Sequence, residues 1–456
     1  IVMSQNLFDT SKVDETAWHL QGNWAPVKEE LTVSDLEVKG EVPKEINGLY
    51  IRNGMNPRSG FSDHWFFGNG MLHGFNFEDG KVSYKNRYVR TPYYEKDLDI
   101  IGSFGDLSAS PANTHIIKHA DKFLALEEAH LPWEVDENLE TKGVYDFNGK
   151  LKGAMTAHPR TCPKTGELLF FSYSVMSEPY LTYYRVNPVG KLVQIEPIEL
   201  PRAVMMHDWN VTENHVVFMD LPIISDMNLA VETGSPFGFK PEFGARLGVM
   251  PREGSNSDVR WFDIDPCYVF HPLNSYEDGN KIILHVCRQQ EAMVGGFQDI
   301  YGGETTVARL WKWTIDLELG SVKEEQIDDA PCDFPRIDDR RIGFKNDYGY
   351  FTTLETDVES LTIGRHLLKY DLVNDKRLTH DLGENVTGGE ALFVPRTANS
   401  SEDDGWVISL AYEAETDRSK LLIINSQDFE SAPVAEIYAP QRVPNGAHGS
   451  WVSKEQ

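Results

Sequence analysis

The sequence predicts an all-β fold, a β-propeller of about seven blades, and three features of the chain support this class. From Glu41 onward, short runs of β-branched and aromatic residues alternate with turn signals, while helical periodicity is scarce. A hairpin pattern recurs at intervals of roughly forty to eighty residues, the spacing of four-stranded blades with loops of variable length. No Pro-, Ser- or Gly-rich linker divides the chain, which disfavours the alternative of two tandem β-sandwiches. We therefore expect one propeller domain over residues 1–456, with residues 1–30 as an N-terminal extension.

The turns and hairpins can be placed along the chain. Dipeptides such as Asp79-Gly80 and Asn445-Gly446 favour tight turns, because Gly, Asn and Asp tolerate left-handed backbone conformations. In each hairpin a strand ends in an aromatic or aliphatic residue, an acidic or amide residue follows, and a turn leads into a second strand. The copies are VYDFNGKL from Val144, YYRVNPVGKL from Tyr183, WKWTIDLELGSV from Trp311, LLKYDLVNDKRL from Leu367 and LLIINSQDFESAPVAEI from Leu421.

Composition and charge limit the class of protein. The 456 residues are 40% hydrophobic and 11% aromatic, which is ordinary for a globular chain with a sizeable core. A net charge of -28 argues against nucleic-acid binding, which requires an excess of Lys and Arg, and against electrostatic attraction to anionic lipid. The four cysteines form no CxxC pair, so the expected location is a reducing cytoplasm. Neither a secretion signal nor a transmembrane run is predicted.

Two long segments interrupt the strand pattern. Residues 221–252 combine apolar side chains with too many Gly and Pro residues for a strand or a long helix, and such a segment usually covers a site or an entrance. The alternative is a loop that packs on its own blade. The segment from Tyr93 to Pro111 has a weaker pattern of this kind and predicts a short helix over the same face. The residues expected at the entrance are Ile223, Ile224, Met227, Leu229, Phe237 and Phe239.

Four histidines lie in similar settings, far apart in the sequence. In the stretch from Pro201 to Pro222, His207 stands where the chain enters a strongly apolar strand, so its imidazole needs a partner or a use. For any one of the four histidines, the alternative to a functional role is a core histidine that is hydrogen-bonded to a backbone carbonyl. His158, His271 and His448 also occur at predicted strand edges, beside Pro, Gly or small residues. One such histidine in each of four repeats suggests four imidazoles directed at a common axis.

Four imidazoles define a particular kind of metal chemistry. Neutral imidazole suits Fe, Zn, Cu or Ni, and four of them leave two positions open on an octahedral metal, enough for dioxygen and a substrate. This favours redox-active iron over a structural zinc. Each ligating histidine should donate its second N–H to an acceptor, commonly a carboxylate, that fixes its tautomer. Glu128, Asp333 and Glu390 each follow or open an apolar strand, where a carboxylate without a partner would be costly. The remaining histidines are expected to be structural.

A set of motifs occurs in order along the chain, from about residue 35 to the C-terminus. They are RNGMNP from Arg52, HWFFGNGMLHGF from His64, ALEEAHLPWEVDENLET from Ala125, TAHPR around His158, MHDW around His207, FHPLNSYEDG from Phe270, GGEALFVPR around Glu390 and VPNGAHG from Val443. Together these motifs resemble those of the carotenoid cleavage oxygenases. In the stretch from His64, Phe67 and Asn69 stand where this family commonly has acidic residues.

The resemblance implies both a fold and a metal centre. It implies a seven-bladed propeller with Fe(II) on its axis, a cap of helical and irregular loops over the iron-bearing face, and carboxylates behind the ligands. The middle carboxylate is usually glutamate in this family, so Asp333, one methylene shorter, implies a longer contact or one bridged by water. The implied ligands and catalytic residues are His158, His207, His271 and His448, with Glu128, Asp333 and Glu390 as the carboxylates.

The resemblance also implies an activity. It implies a non-haem iron dioxygenase that cleaves one carbon–carbon double bond of a carotenoid or apocarotenoid with O2 to give two carbonyl products. The partners would be O2 and an apolar polyene, with peripheral membrane contact as the open route of substrate supply. Two alternatives stay open: cleavage of a stilbene or phenylpropene, and a propeller that serves only as a binding module. In the stilbene-cleaving branch a lysine typically precedes the first carboxylate, whereas here Glu127 precedes Glu128, which favours the carotenoid class.

Overall fold

Strands make up nearly all the regular structure of the computed structural model, which describes residues 16–297, 300, 303–356, 358 and 360–454. Residues 1–15 of the predicted N-terminal extension lie outside the described residues. Within the described ranges the α-helices are two, α1 (Pro92–Glu95) and α2 (Met227–Thr233), and α1 confirms the short helix predicted in the segment from Tyr93. Neither of these helices, nor any other in the described ranges, is long and apolar enough to span a membrane.

One compact unit comprises residues 1–157, 382–400 and 404–456 and contains three antiparallel sheets among its described residues. Its strands are β1 (Thr32–Val33), β2 (Val38–Gly40), β3 (Gly48–Met55), β4 (Gly70–Glu78), β5 (Lys81–Tyr88), β6 (His115–His119), β7 (Lys122–Leu126), β8 (Trp133–Val135), β9 (Thr141–Val144), β28 (Val386–Thr387), β29 (Leu392–Pro395), β30 (Gly405–Glu413), β31 (Arg418–Asn425), β32 (Ala435–Tyr438) and β33 (Gly449–Ser453). The sheet orders are β1-β5-β4-β3-β33, β6-β7-β8-β9 and β2-β32-β31-β30-β28, with β29 also paired to β30. Because β3 pairs with β33 and β2 with β32, strands from both ends of the chain complete the same sheets.

The other unit comprises residues 158–381 and 401–403 and contains four sheets of four strands, with one additional hairpin, among its described residues. Its strands are β10 (Arg160–Thr161), β11 (Leu168–Tyr173), β12 (Leu181–Val186), β13 (Leu192–Ile198), β14 (Asn210–Val211), β15 (His215–Asp220), β16 (Ile223–Ser225), β17 (Phe237–Phe239), β18 (Ala245–Pro251), β19 (Arg260–Ile264), β20 (Tyr268–Asp278), β21 (Lys281–Gln289), β22 (Arg309–Asp316), β23 (Ser321–Gln326), β24 (Cys332–Arg336), β25 (Tyr348–Leu354), β26 (Ile363–Asp371) and β27 (Lys376–Asp381). The sheet orders are β10-β11-β12-β13, β14-β15-β18-β19, β20-β21-β22-β23 and β24-β25-β26-β27, while β16 and β17 form the hairpin.

Three sheets in one unit and four in the other make seven blades over the described residues, which confirms the predicted all-β, seven-bladed propeller class. The residue pattern explains the sheets. In β5 the buried residues alternate along the strand, as expected for a strand with one face in the core and one toward solvent. In β11 every residue from Leu168 to Ser172 is buried, as expected for a strand covered on both faces.

Four of the five predicted hairpins are confirmed: β12–β13, β22–β23, β26–β27 and β31–β32. The hairpin predicted after Val144 is wrong, because β9 ends there and the chain turns without a returning strand before β10. Phe147, Asn148 and Gly149 all have positive φ angles, and Asp146 Oδ1 accepts a hydrogen bond from Gly149 N. Three successive left-handed residues coil the backbone tightly, so the segment cannot enter a second extended strand directly.

The predicted insertion at residues 221–252 is only partly an insertion. The hairpin β16–β17, with α2 between its strands, lies outside the blade ladder, but Ala245–Pro251 forms β18, which pairs with β15 from Arg246 to Pro251. This strand was not predicted because it contains Gly248, and glycine disfavours strands. Gly248 is required by packing, since a Cβ atom at that position would lie 2.6 Å from the ring of Trp261 on the neighbouring strand.

Candidate metal centre

Three histidines of the unit that begins at residue 158 bring their ring nitrogens together. The Nε2 atoms of His158 and His207 are 3.0 Å apart, and those of His207 and His271 are 3.2 Å apart. The ring centroids of His158 and His271 are 5.2 Å apart. His158 and His271 are buried, with exposed fractions of 4% and 6%. Nitrogen lone pairs at these distances repel one another unless a cation or a shared proton lies between them, so the arrangement favours a bound cation.

The backbone around these histidines is held by side-chain hydrogen bonds, both local and long-range. His158 lies just before β10, and its carbonyl accepts bonds from Arg160 Nη1 at 2.8 Å and from Trp209 Nε1 at 2.9 Å. His207 lies just before β14, and the carbonyl of Met205 accepts a bond of 3.0 Å from the Tyr268 hydroxyl. His271 lies within β20, where the ladder with β21 is irregular. Each histidine therefore lies on or just before the edge strand of its sheet.

His448 has the equivalent setting in the unit that contains the chain ends. It lies just before β33, and its amide donates to the Thr114 carbonyl while its own carbonyl accepts from Asn53 N, both at 3.0 Å. Its Nδ1 is 2.7 Å from Glu390 Oε2, and the other oxygen of Glu390 accepts from Gly449 N at 2.9 Å. The carboxylate thus restrains both the ring and the adjacent backbone.

Among the described residues, the four imidazoles form the group that could hold a metal ion. One ring nitrogen from each lies within 4.8 Å of the others, and the residues are His158, His207, His271 and His448. The spacing fits a single first-row transition metal. Two nitrogens bonded at right angles to one metal at about 2.1 Å are about 3 Å apart, close to the two Nε2 separations given above. The donor set contains no carboxylate, and four imidazoles suit iron, as the sequence predicts.

Asp333 contacts its histidine directly. His271 Nδ1 is 2.9 Å from Asp333 Oδ1, an oxygen that also accepts from Phe334 N at 2.7 Å. The contact is direct, so the water-bridged alternative is wrong, and it is slightly longer than the 2.7 Å between His448 Nδ1 and Glu390 Oε2. The pairing of β24 with β25 is irregular after Asp333, and Phe334 has a φ of 53°. This irregular backbone brings the shorter side chain within hydrogen-bond distance. Glu128, half-buried just after β7, stays a prediction.

One buried carboxylate beside the four imidazoles, that of Asp208, is not among the carboxylates predicted from the sequence. Asp208 has an exposed fraction of 2%, and its Oδ2 lies 3.4 Å from Nδ1 of His158. Burial raises the pKa of Asp208, while Arg160 nearby opposes that rise. The signal was available in the sequence, because Asp208 follows His207 directly and Arg160 stands two residues after His158.

Several other histidines are bonded to protein groups, as a structural role requires. His73 Nδ1 is 2.8 Å from the Tyr84 hydroxyl, and His115 Nδ1 is 2.7 Å from the carbonyl of Ala157. Burial lowers the pKa of His285 to about 4, so this imidazole is neutral at pH 7.

The fold and the four-imidazole group together define a class, the metal-dependent oxygenases built on a seven-bladed propeller. The family described as retinal pigment epithelial membrane protein, RPE65, matches residues 24–453. The chain is 34% identical to a carotenoid cleavage oxygenase of Mycobacterium tuberculosis, with 95% of this chain and 97% of that protein covered. It is 32% identical to an isoeugenol monooxygenase of Pseudomonas nitroreducens, with 95% and 98% covered.

A solved structure extends the similarity to three dimensions. The lignostilbene dioxygenase of Pseudomonas brassicacearum superposes with a TM-score of 0.88 at 31% identity, covering 96% of this chain and 99% of that one. The chain therefore belongs to the RPE65 and carotenoid cleavage oxygenase family, and it is an oxygenase. The alternative of a propeller that serves only as a binding module finds no support among these relatives.

Replacing one imidazole tests the metal group. We expect His207→Ala to lose stoichiometric iron and turnover while the protein stays folded, because blade packing supplies most of the stability. The measurements are iron content after reconstitution and the circular dichroism spectrum. His366→Ala, at a half-buried histidine outside the group, is the control and should keep its iron. Stoichiometric iron and full activity in His207→Ala would remove His207 from the site.

Replacing a carboxylate behind a ligand tests the supporting bonds. We expect Glu390→Gln to lower iron affinity or turnover by roughly ten- to a hundredfold, because the amide accepts less strongly from His448 Nδ1. Competition with a chelator measures the affinity. The control is Glu402→Gln, since Glu402 is also buried but accepts from the backbone amides of Asp347 and Tyr348. Equal iron affinity in Glu390→Gln and the parent protein would count against this role.

Proposed function

We propose that this oxygenase is a non-haem Fe(II) dioxygenase that cleaves one double bond of a carotenoid or apocarotenoid with O2 to give two carbonyl products. The observation that carries the proposal is the group of four imidazole nitrogens within 4.8 Å, without a carboxylate among them. Such a donor set leaves coordination positions for O2 and for placing a substrate beside it.

When bound, Fe(II) would supply the redox chemistry that activates O2 toward the double bond. The protein residues prepare the site for it. Asp333 and Glu390 hold the protons of His271 and His448 on Nδ1, which leaves each Nε2 lone pair for the metal. Burial of these side chains keeps bulk water from the imidazoles and strengthens their bonds to the carboxylates.

Aromatic rings beside the histidines support an apolar substrate. The Phe270 ring lies edge-on to His207 with centroids 5.3 Å apart, and the Phe334 ring lies 5.4 Å from that of His271. Phe270 and Phe334 are buried, with exposed fractions of 2% and 5%. Rings of this kind offer a conjugated hydrocarbon dispersion contacts without competing for the metal.

The environment of Glu127 supports the carotenoid class over the hydroxystilbenes. Glu127 Oε2 lies 2.6 Å from His130 Nδ1 and accepts from Ala129 N at 3.0 Å. Burial lowers the pKa of His130, but the adjacent Glu127 outweighs this, so the pKa is raised. Glu127 is thus bonded within its own turn and offers no ammonium to a phenolate.

A stilbene or phenylpropene substrate is the second candidate. It is favoured by the similarity to a lignostilbene dioxygenase and to an isoeugenol monooxygenase. Both candidates use the same metal group, so the choice between them depends on the residues that contact the substrate.

Product analysis separates the two substrate classes. We expect the iron-loaded protein to cleave an apocarotenoid aldehyde or alcohol and to give little or no product from resveratrol, because Glu127 cannot replace the family's phenol-binding lysine. Mass spectrometry of the carbonyl products under identical conditions makes the comparison. The His207→Ala protein provides the background. Faster turnover of resveratrol than of any apocarotenoid would reverse the assignment and leave the metal site intact.

The route of substrate supply depends on the β16–β17 hairpin and α2. Of the residues predicted at the entrance, Ile223 and Leu229 are buried, and Ile224, Phe237 and Phe239 are half-buried. Met227 is 64% exposed and, one turn further along α2, Val231 is 89% exposed. We propose that these two α2 side chains contact the membrane or micelle, because residues four apart lie on the same face of a helix and here form an exposed apolar face.

Polar substitution of α2 tests this route. We expect Met227→Ser with Val231→Ser to weaken binding to neutral liposomes and raise the apparent KM for an apocarotenoid, with kcat unchanged, because neither residue touches the histidines. Val189→Ser, at an 82% exposed apolar residue in the turn between β12 and β13, is the matched control. If the double variant binds liposomes as well as the control does, α2 is not the contact surface.

A further inference from the structure

The support for His158 is built differently from the support for His271 and His448. Those two imidazoles have carboxylates from parts of the chain that are distant in sequence, at 2.9 and 2.7 Å. Behind His158 stands Asp208, which directly follows another candidate ligand, and its Oδ2 is 3.4 Å from His158 Nδ1. One short segment, residues 207–208, therefore supplies both an imidazole to the group and a carboxylate behind a different imidazole.

The Asp208 carboxylate is held rigidly on its other side. Its Oδ1 accepts from Arg160 Nη2 at 2.8 Å and from the amide of Trp209 at 2.7 Å. Two donors on one oxygen fix the plane of the carboxylate, so that the second oxygen is left on the side of His158. A buried carboxylate would be costly without such partners, which explains why the charge of Arg160 is brought to this position.

Arg160 and Trp209 also hold the backbone of His158. Arg160 Nη1 and Trp209 Nε1 both donate to the His158 carbonyl, at 2.8 and 2.9 Å. Trp209 is fully buried in an aromatic cluster with Phe171 and Phe218, so its indole is a rigid anchor. The same two side chains thus determine where the His158 backbone lies and where the carboxylate behind its ring lies.

We propose that Asp208 is a positioning residue for His158, which it orients with Nε2 toward the metal, and that Arg160 acts through Asp208. This inference rests on the proposed iron site. It assigns His158 a carboxylate partner that is not among the three carboxylates predicted from the sequence. The competing explanation is that Arg160 and Asp208 merely join the segments before β10 and β14 and have no effect on the metal.

Two measurements on Asp208→Asn distinguish a residue that positions His158 from one that only joins the segments before β10 and β14. The amide keeps the shape and one acceptor oxygen, but the group facing His158 loses its charge. We expect iron affinity, measured by chelator competition, to fall ten- to a hundredfold, the usual scale for a residue behind a metal ligand. We also expect the visible absorption bands of the Co(II)-loaded protein to shift, because they report the geometry of the ligands. Asp208→Glu, which restores the charge, should recover part of the affinity.

The same unit offers a matched control. Asp220 is 5% exposed and accepts from Arg246 Nε at 2.7 Å, so Asp220→Asn breaks an equally buried pair between β15 and β18. Asp220→Asn should leave iron affinity and the Co(II) spectrum unchanged, even if both variants lower the melting temperature equally. Arg160→Gln is a second test that leaves Asp208 in place, and it should lower affinity less because the Trp209 amide still holds the carboxylate.

The outcomes are distinct. Parent-like iron affinity and an unchanged Co(II) spectrum in Asp208→Asn would overturn the positioning role alone. If Asp208→Asn does not fold, parent-like affinity and spectrum in Arg160→Gln would overturn it in the same way. A parent protein that binds no stoichiometric iron would overturn the proposed function and this inference together.

Discussion

The mutual repulsion of imidazole lone pairs is the constraint on which the rest of the site depends. Nε2 atoms only 3.0 and 3.2 Å apart are stable together when a cation is shared and when each ring carries its proton on the far nitrogen. The far nitrogens of His271 and His448 face carboxylates, which meets the second condition. The buried carboxylates of Asp333 and Glu390 are therefore tied to the chemistry of the proposed centre.

The blades supply the rigidity that this constraint demands. Imidazoles on flexible loops would turn apart, so each histidine lies on or beside an edge strand whose backbone is paired or anchored. The clearest case is His158, whose carbonyl is held by an indole that is itself fully buried among aromatic rings. His448 is anchored by backbone bonds to Asn53 and Thr114, beside the pairing of β3 with β33. Strand ladders and aromatic packing thus define the positions of the four histidines.

Charge and apolar surface are kept apart in the described residues. The excess of acidic side chains is largely solvated or paired with Arg and Lys, as at Arg246 and Asp220. The surroundings of His207 and His271, by contrast, contain the rings of Phe270 and Phe334. Carboxylates that contact Nδ1 of His271 and His448, together with apolar rings beside His207 and His271, suit the proposed chemistry on a hydrocarbon.

The sequence by itself determined the all-β class, most of the hairpins and the four histidines, because strand alternation, turn residues and motif order are local properties of the chain. Only the tertiary structure decided three other features. The strand at Ala245–Pro251 was not predicted because glycine is typical of loops. In the structure, the Trp261 ring occupies the space that a Cβ atom of residue 248 would need. The direct contact of Asp333 depends on an irregular backbone that composition does not reveal. The sequence places Asp208 beside His207, but its position 3.4 Å from His158 Nδ1 was decided by folding, since no single segment encodes the distance between side chains 50 residues apart.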